Sequence, residues 1–410
     1  GEQVVNDLGI SIPPQLKGLH TVIGWPQIGV DALERRLDID MIRYADGSNS
    51  SELTEIWGAN QLWHESQLAH LDAFVYGRSY AAVGTGEDVP LITIESPLDM
   101  AARYDVRSRM VTAGLREYVE EGGVRAATLY LPQSTISLAE ESSGWVITDR
   151  DDHNVGVVPI VRFSNRQRAA DRVGRSEITP AVMSITDAAC RTLLGMEVSR
   201  EFFAAPQRYI LGASEGAFED QEGNPLDAWS TYVGRVLGLE RDEDGQLPEV
   251  GQFAAGDPSA FTRVLDLYAR VMATQLSVPP QYLGYTTDNP ASADAIRSSE
   301  SQLVKTAERK QRLFGTPWAD VLRLALIWQH GAEGVPAAAR AIDIGWMNPA
   351  TPTVSAQTDA AVKLVTAGII PADSDVALEM VGLREEQRAR VRADRRRSQG
   401  RQLLQEIGAR

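Results

Sequence analysis

Histidines are the first residues to test for chemistry, and there are five: His20, His64, His70, His153 and His330. A helical metal site needs ligands three or four residues apart, so that they share one face. No pair has that spacing, and His64 and His70, six apart, point to different faces. Asp151-Asp152-His153 has the residue types to hold a divalent ion for a metal-dependent hydrolase. The same run reads as a β turn, where Asp is common because its side chain bonds its own backbone. Ser142-Ser143-Gly144 reads as a turn and not a nucleophile elbow. Gly84-Thr85-Gly86 lacks the strand and helix context of a phosphate loop and reads as a hairpin turn. Glu120-Glu121 and Glu140-Glu141 sit beside Gly or Ser, the setting of a solvated loop. The single cysteine, Cys190, excludes an intrachain disulfide and a thiolate cluster. It lies in an apolar helical stretch and reads as a buried, inert thiol. No catalytic, metal or cofactor site is expected.

Charge carries the remaining chemistry. The 410 residues hold a net −16 at pH 7 with a pI near 4.9. Such a chain is ill suited to gripping DNA by its phosphates, which requires Lys and Arg. The balance is uneven. Residues 384–410 carry nine Arg against Glu385, Glu386, Asp394 and Glu406, a net of +5, which leaves −21 on the body. Residues 206–256 hold ten acids and three Arg. Among these acids Glu219, Asp220, Glu222, Asp242, Glu243 and Asp244 suit docking of a basic partner, while a loop kept soluble by repulsion is the plain alternative. Arg395-Arg396-Arg397 suits a nucleic acid or an acidic partner, against a helix laced by i,i+4 Glu–Arg pairs. Bases divide into 36 Arg and only Lys17, Lys305, Lys310 and Lys363, which reads as a coding bias.

The elements behind these residues follow from periodicity and turn signals. The opening Gly1-Glu2-Gln3-Val4 has neither the basic nor the apolar region of a signal peptide, and no apolar run of about 18 residues predicts a membrane span. The first 27 residues, rich in Pro, Gly and polar types, read as an arm. A short helix is expected over 30–37 and one long helix from Leu53 to Phe74, stopped by Gly77. Residues 79–84 read as a strand. Residues 89–163 read as a β meander, with strands at 89–94, 110–118, 124–130, 135–138, 145–148 and 157–163. Ile178, Val182, Ile185, Ala189, Leu193 and Met196 form one stripe of a helix over 176–205. Residues 206–256 lose periodicity and read as a protruding insert. Asp257-Pro258 starts the next helix, ended by Pro279-Pro280. After a polar loop comes the longest helical pattern, 293–329, which Gly315-Thr316-Pro317 should kink or break. A strand at 341–347 and short helices at 354–367 and 374–381 complete the chain. With no convergent catalytic set, but an arm, a protrusion and a tail, the residues argue for a non-enzymatic assembly protein.

From Gly156 onward the chain resembles the portal proteins of tailed bacteriophages, of the siphovirus head-to-tail connector type. Gly156-Val157-Val158-Pro159-Ile160-Val161-Arg162-Phe163-Ser164-Asn165 is similar to a signature of that family. Ser184-Ile185-Thr186-Asp187-Ala188 resembles its first stem helix. Val278-Pro279-Pro280-Gln281-Tyr282-Leu283-Gly284, then Asn289 to Arg297, resembles the run between stem and long wing helix in actinobacterial phages, and Lys305 to Lys310 fits that helix. Gly368-Ile369-Ile370 with Ser374 and Ala377 resembles a late helical turn. The likeness in element order spans roughly 50–385 and departs at the short, basic C-terminus.

The resemblance implies an α+β portal-type fold: an N-terminal arm (1–29), an α/β wing (30–175 and 293–353), and stem helices (176–205 and 257–278). A small α/β clip (206–256), a tunnel loop (279–292) and a helical crown and tail (354–410) complete it. It implies a ring, usually of twelve copies, at one capsid vertex of a virion assembled in a bacterial cytoplasm. The implied partners are other copies, terminase, a head-tail adaptor, capsid and scaffolding proteins, and double-stranded DNA in the channel, with no membrane and no cofactor. By position, Tyr285, Thr286, Thr287, Asp288 and Asn289 line the bore, and Arg297 and Lys305 are candidates for weak phosphate contact or, equally, for intersubunit salt bridges. The six clip acids face terminase and then the adaptor. Twelve copies at −16 carry −192, which suits a bore that must let DNA slide. Other virion roles, a capsid or adaptor subunit, and the hydrolase at Asp151-Asp152-His153 remain alternative readings.

Overall fold

The structure is a computed structural model and describes residues 21–48, 50–203, 208–212, 249–252, 259–285, 293–350 and 352–408. Two units divide the chain: residues 1–24 with 183–272, and residues 25–182 with 273–410.

In the second unit, helix α1 (Trp25–Glu34) begins inside the expected arm and buries Gly29, Val30, Ala32 and Leu33. The apolar periodicity after Ser50 makes two helices, α2 (Ser51–Ala59) and α3 (Leu62–Tyr76), where one was expected. The break is at Asn60-Gln61. Gln61 takes a left-handed backbone with φ 52°. Asn60 turns its amide to the carbonyls of Ile56 and Pro90, both at 2.9 Å, and accepts from the Ile92 N–H at 2.7 Å. Gly77 stops α3 at φ 87°, a conformation a Cβ disfavours.

Strand β2 (Arg78–Gly84) is central in a three-stranded antiparallel sheet, with β3 (Leu91–Glu95) and β9 (Ile160–Ser164) on its flanks. Ser79 to Val83 are all buried, which explains an apolar run without alternation. Of the meander expected over 89–163, the strands at 89–94 and 157–163 leave it for the three-stranded sheet as β3 and β9. The rest is a five-stranded sheet in chain order: β4 (Met100–Tyr104), β5 (Val111–Val119), β6 (Arg125–Tyr130), β7 (Thr135–Glu141) and β8 (Gly144–Asp151). Strand β4, Met-Ala-Ala-Arg-Tyr, has no β-branched residue and gave no strand signal. Strand β1 (Ile39–Tyr44) pairs with β12 (Ile342–Trp346), Ile42 facing Ile344 across some 300 residues of chain.

The remaining helices are α4 (Pro180–Phe203), α5 (Ser259–Leu276), α6 (Ala293–His330), α7 (Val354–Thr366), α8 (Asp375–Met380) and α9 (Glu385–Gly408). In the first unit, α4 and α5 come together at Gly195, where a Cβ would lie 3.5 Å from Phe261. The described ends of the insert, β10 (Arg208–Leu211) and β11 (Glu249–Gln252), form a two-stranded antiparallel ladder. The expected helix start at Asp257-Pro258 lies outside the described residues.

Helix α6 runs through Pro317 without ending, against expectation. An interior Pro costs about 3 kcal/mol. Phe314, Trp318, Val321 and Leu322 around it are fully buried, and each such side chain stabilises by about 1.5–3 kcal/mol. Burial therefore outweighs the lost hydrogen bond. These residues build an aromatic core: Trp318 meets Trp57 edge-on at 5.0 Å and Phe163 at 4.6 Å, and Phe314 stacks on His70 at 5.0 Å. Trp318 Nε1 donates to His70 Nε2 at 2.9 Å, and full burial pushes that imidazole down to about 3, so it stays neutral.

Candidate functional site

The segment with most to do is the one between α5 and α6. Helix α5 ends at Leu276 and Ser277 turns left-handed at φ 58°. Pro279 is extended, Pro280–Leu283 forms one 3₁₀ turn, and Gly284 reverses the chain at φ 86°. The Tyr285 N–H donates back to the Pro280 carbonyl at 3.3 Å. Two prolines and a positive-φ glycine make this a stiff bracket, with little freedom left to lose.

Side chains from distant elements pin the bracket. Tyr282 Oη donates to Glu300 on α6 at 2.7 Å and accepts from Arg36 at 3.2 Å. Arg36, whose side chain is 9% exposed, pairs with Glu300 at 3.3 Å and donates to the Pro349 carbonyl. Gln311 then donates to the carbonyls of Arg36 and Met347, each at 3.0 Å. Burial raises the Tyr282 phenol, and its bond to Glu300 adds to that, so it is a neutral donor at ordinary pH. Gln302 reaches Ser277 Oγ at 3.3 Å. The entry to the loop is therefore tied to α6 at two points, through Glu300 and through Gln302.

A second junction sits where the β region hands over to α4. Thr179 Oγ1 accepts from the Val182 N–H and Pro180 takes the first helical position, so α4 starts four residues later than the expected 176. Residues 165–179 instead clasp the end of α3: the Asn165 N–H donates to the Gly77 carbonyl and the Glu177 N–H to the Phe74 carbonyl. Glu177 and Asn165 receive Lys310 from α6. Lys310 Nζ meets Glu177 at 2.5 Å and also donates to Asn165 Oδ1. Arg166 pairs with the other Glu177 oxygen at 3.2 Å. Burial opposes the Glu177 charge, but Lys310, Asn165 and Arg166 together hold its carboxyl below the usual range.

The expected site residues fall unevenly on this frame. Tyr285 lies at the bracket's exit, and Thr286, Thr287, Asp288 and Asn289 lie outside the described residues, as do all six clip acids. Arg297 is exposed on α6, and Lys305, also exposed, pairs with Glu308 at 2.8 Å. The Asp151-Asp152-His153 run is not convergent. Asp151 accepts from Thr85, Asp152 pairs with Arg150, and the His153 ring packs on Trp328 at 4.6 Å. Among the described residues no cluster of three His, Cys, Asp or Glu could hold a metal. Cys190 is buried, and burial raises its thiol. Gly212-Ala213-Ser214-Glu215-Gly216 has serine-nucleophile spacing. Past Gly212 it lies outside the described residues, and the strand before it belongs to an antiparallel ladder and not the sheet of a nucleophile elbow.

Lys310 escapes motif reading but not periodicity. Leu303, Ala307, Lys310 and Phe314 recur at four, three and four, which places a lysine on the apolar face.

Comparison with known proteins gives this frame relatives. The model of the family described as phage portal protein, SPP1 Gp6-like, matches residues 6–400. The portal proteins of Mycobacterium phage D29 and Mycobacterium phage L5 are each 37% identical over 380 residues, 89% of this chain and 77% of theirs. A chain in the virion of a native gene transfer agent particle superposes with a TM-score of 0.50 at 14% identity, covering 88% of both chains. A chain in the neck of an empty gene transfer agent particle, computed with C6 symmetry, gives 0.51 at 13% identity, covering 87% of this chain and 89% of the other. These two likenesses bear on the fold alone, and they agree with an α+β portal fold.

Proposed function

Since this chain belongs to the SPP1 Gp6-like family of phage portal proteins, we propose that its copies close into a ring at one capsid vertex and surround the DNA that enters and leaves. The observation that carries the proposal is the family match across residues 6–400. That membership sets aside a capsid or adaptor subunit, and the three residues of the hydrolase reading have other partners.

The finer assignment follows chain order. Residues 30–175 and 293–353 form the wing, 176–205 and 257–278 the stem, and 354–410 the crown. Residues 206–256 form the clip, whose ends the β10–β11 ladder draws together as a protrusion requires. Its acids, Glu219, Asp220, Glu222, Asp242, Glu243 and Asp244, receive a basic face of terminase and later of the adaptor. Residues 279–292 form the tunnel loop. The pinned bracket supports that role, because a loop that brushes moving DNA needs a base that does not yield. A net charge of −16 per copy supports a bore that repels phosphate and does not hold it.

Negative-stain electron microscopy of the purified protein, alone and co-expressed with its capsid and scaffolding proteins, tests the proposal. Rings with a central hole are expected in at least the second preparation. Capsids that lack this chain at every vertex would overturn it.

A further inference from the structure

The arginines of α9 divide into two stripes. Arg388, Arg392 and Arg395, at steps of four and three, turn toward the fold. Arg388, only 2% exposed, pairs with Asp40 of β1 at 2.9 Å, with Glu385 at 3.0 Å and with Glu379 at 3.3 Å. Arg392 pairs with Asp375 at 2.6 Å and also with Glu385, and Arg395 donates to the Asp373 carbonyl at 2.8 Å. These three fasten the helix to the protein.

The second stripe, Arg390, Arg397 and Arg401, recurs at seven and four residues on the opposite side and is exposed. Arg390 and Arg401 have no acid partner among the described residues. Arg397 has only a 3.5 Å contact with Asp394, both about three-quarters exposed, and such a pair contributes little. Exposed Arg396 lies beside them. At about 1.5 Å of rise per residue the stripe spreads its charges over roughly 16 Å.

We propose that this outer stripe binds the phosphate backbone of double-stranded DNA. The inference rests on the portal reading and deepens it, adding a phosphate contact on the C-terminal helix to the steric one at the tunnel loop. The chemistry favours a polyanion over an acidic protein. Between Glu386 and Arg401 the exposed side of α9 has no aromatic and no large apolar residue, so it lacks the core a protein interface needs. Phosphate contacts require only spaced positive charge. The remaining chain carries a net −21, so this helix is basic against an acidic background.

The test is fluorescence anisotropy of a labelled 30-base-pair duplex against the full chain, over a range of salt concentrations. Arg390→Gln/Arg397→Gln/Arg401→Gln should reduce the slope of log K against log salt by about 2.7, at roughly 0.9 per lost phosphate contact. A control, Arg103→Gln/Arg107→Gln/Arg109→Gln, removes the same charge from another exposed surface and should leave the slope unchanged. No binding by the wild type, an unchanged slope in the first variant, or an equal fall in both variants would overturn the inference. Electron microscopy of the same samples separates the premises: rings with an unchanged slope sink this inference and leave the portal reading standing. Vertices that lack the chain, with the slope difference intact, do the reverse.

Discussion

Replacing Lys310 by Met isolates the junction at the head of α4. Methionine fills the space of the lysine stem and removes only the ammonium. Glu177 is then left with its side chain 17% exposed and its nearest cation gone. Removing one partner of a buried pair costs about 3–5 kcal/mol. Here Arg166 stays at 3.2 Å and the Asn165 amide at 3.0 Å, which places the expected loss at the low end, about 3 kcal/mol. Glu177→Gln in the Lys310→Met background removes the stranded charge and should recover at least half of that loss. Urea unfolding followed by tryptophan fluorescence reads both, because Trp57 and Trp318 lie in the same unit as the pair. The sign with pH is fixed by the direction of the shift. Glu177 lies below the ordinary carboxyl value of 4.5, so its side of the pair is fully charged at pH 4.5 and fades as pH falls through the lower folded value; burial pulls the Lys310 ammonium below its ordinary value, so the pair is also lost at alkaline pH, earlier than a free lysine would lose its charge. The difference between wild type and Lys310→Met should shrink in that acid range. A single-variant loss under about 1 kcal/mol, or a double variant equal to the sum of the singles within about 0.5 kcal/mol, would refute the reasoning.

Gly77→Ala should destabilise by about 2–4 kcal/mol, from the left-handed backbone and from a Cβ that would meet the Arg175 backbone at 2.8 Å; a melting temperature within a degree of wild type would contradict this. Tyr285→Ala with Asn289→Ala should lower DNA packaging in a phage complementation assay while ring formation persists. Packaging at the wild-type level would remove the tunnel-loop assignment.

Much of the fold was legible because its signals are local. Gly122-Gly123 and Ser142-Ser143-Gly144 mark turns of the meander, and Leu303 to Trp318 repeats at helical spacing. What the sequence hid depends on distant partners. The helix break at Asn60 is made by Pro90 and Ile92, and β1 acquires its partner only when residue 344 arrives. Pro317 misled because local propensity is weaker than the burial of Phe314 and Trp318. The basic tail gave a charge count without meaning, since Asp40, which receives Arg388, lies 348 residues away. The candidate site was read by position and motif order, and its supports, Arg36, Glu300 and Gln311, carry no motif at all.

Helix α6 touches the bracket through Glu300, the α4 junction through Lys310, and the aromatic core through Phe314 and Trp318. At about 3.6 residues per turn all four fall within one side of the helix. A single residue inserted between Glu300 and Lys310 would rotate the two ends against each other by about 100°, so no choice of side chain could restore both attachments. Seven or eleven inserted residues would restore the phase but part the two ends by about 10 or 16 Å along the axis, and Glu300 and Gln311 both reach Arg36, so insertions and deletions there should not survive. The distance from loop to core is thus fixed in both phase and length, and homologous chains should vary in length elsewhere, in segments that are not anchored at both ends.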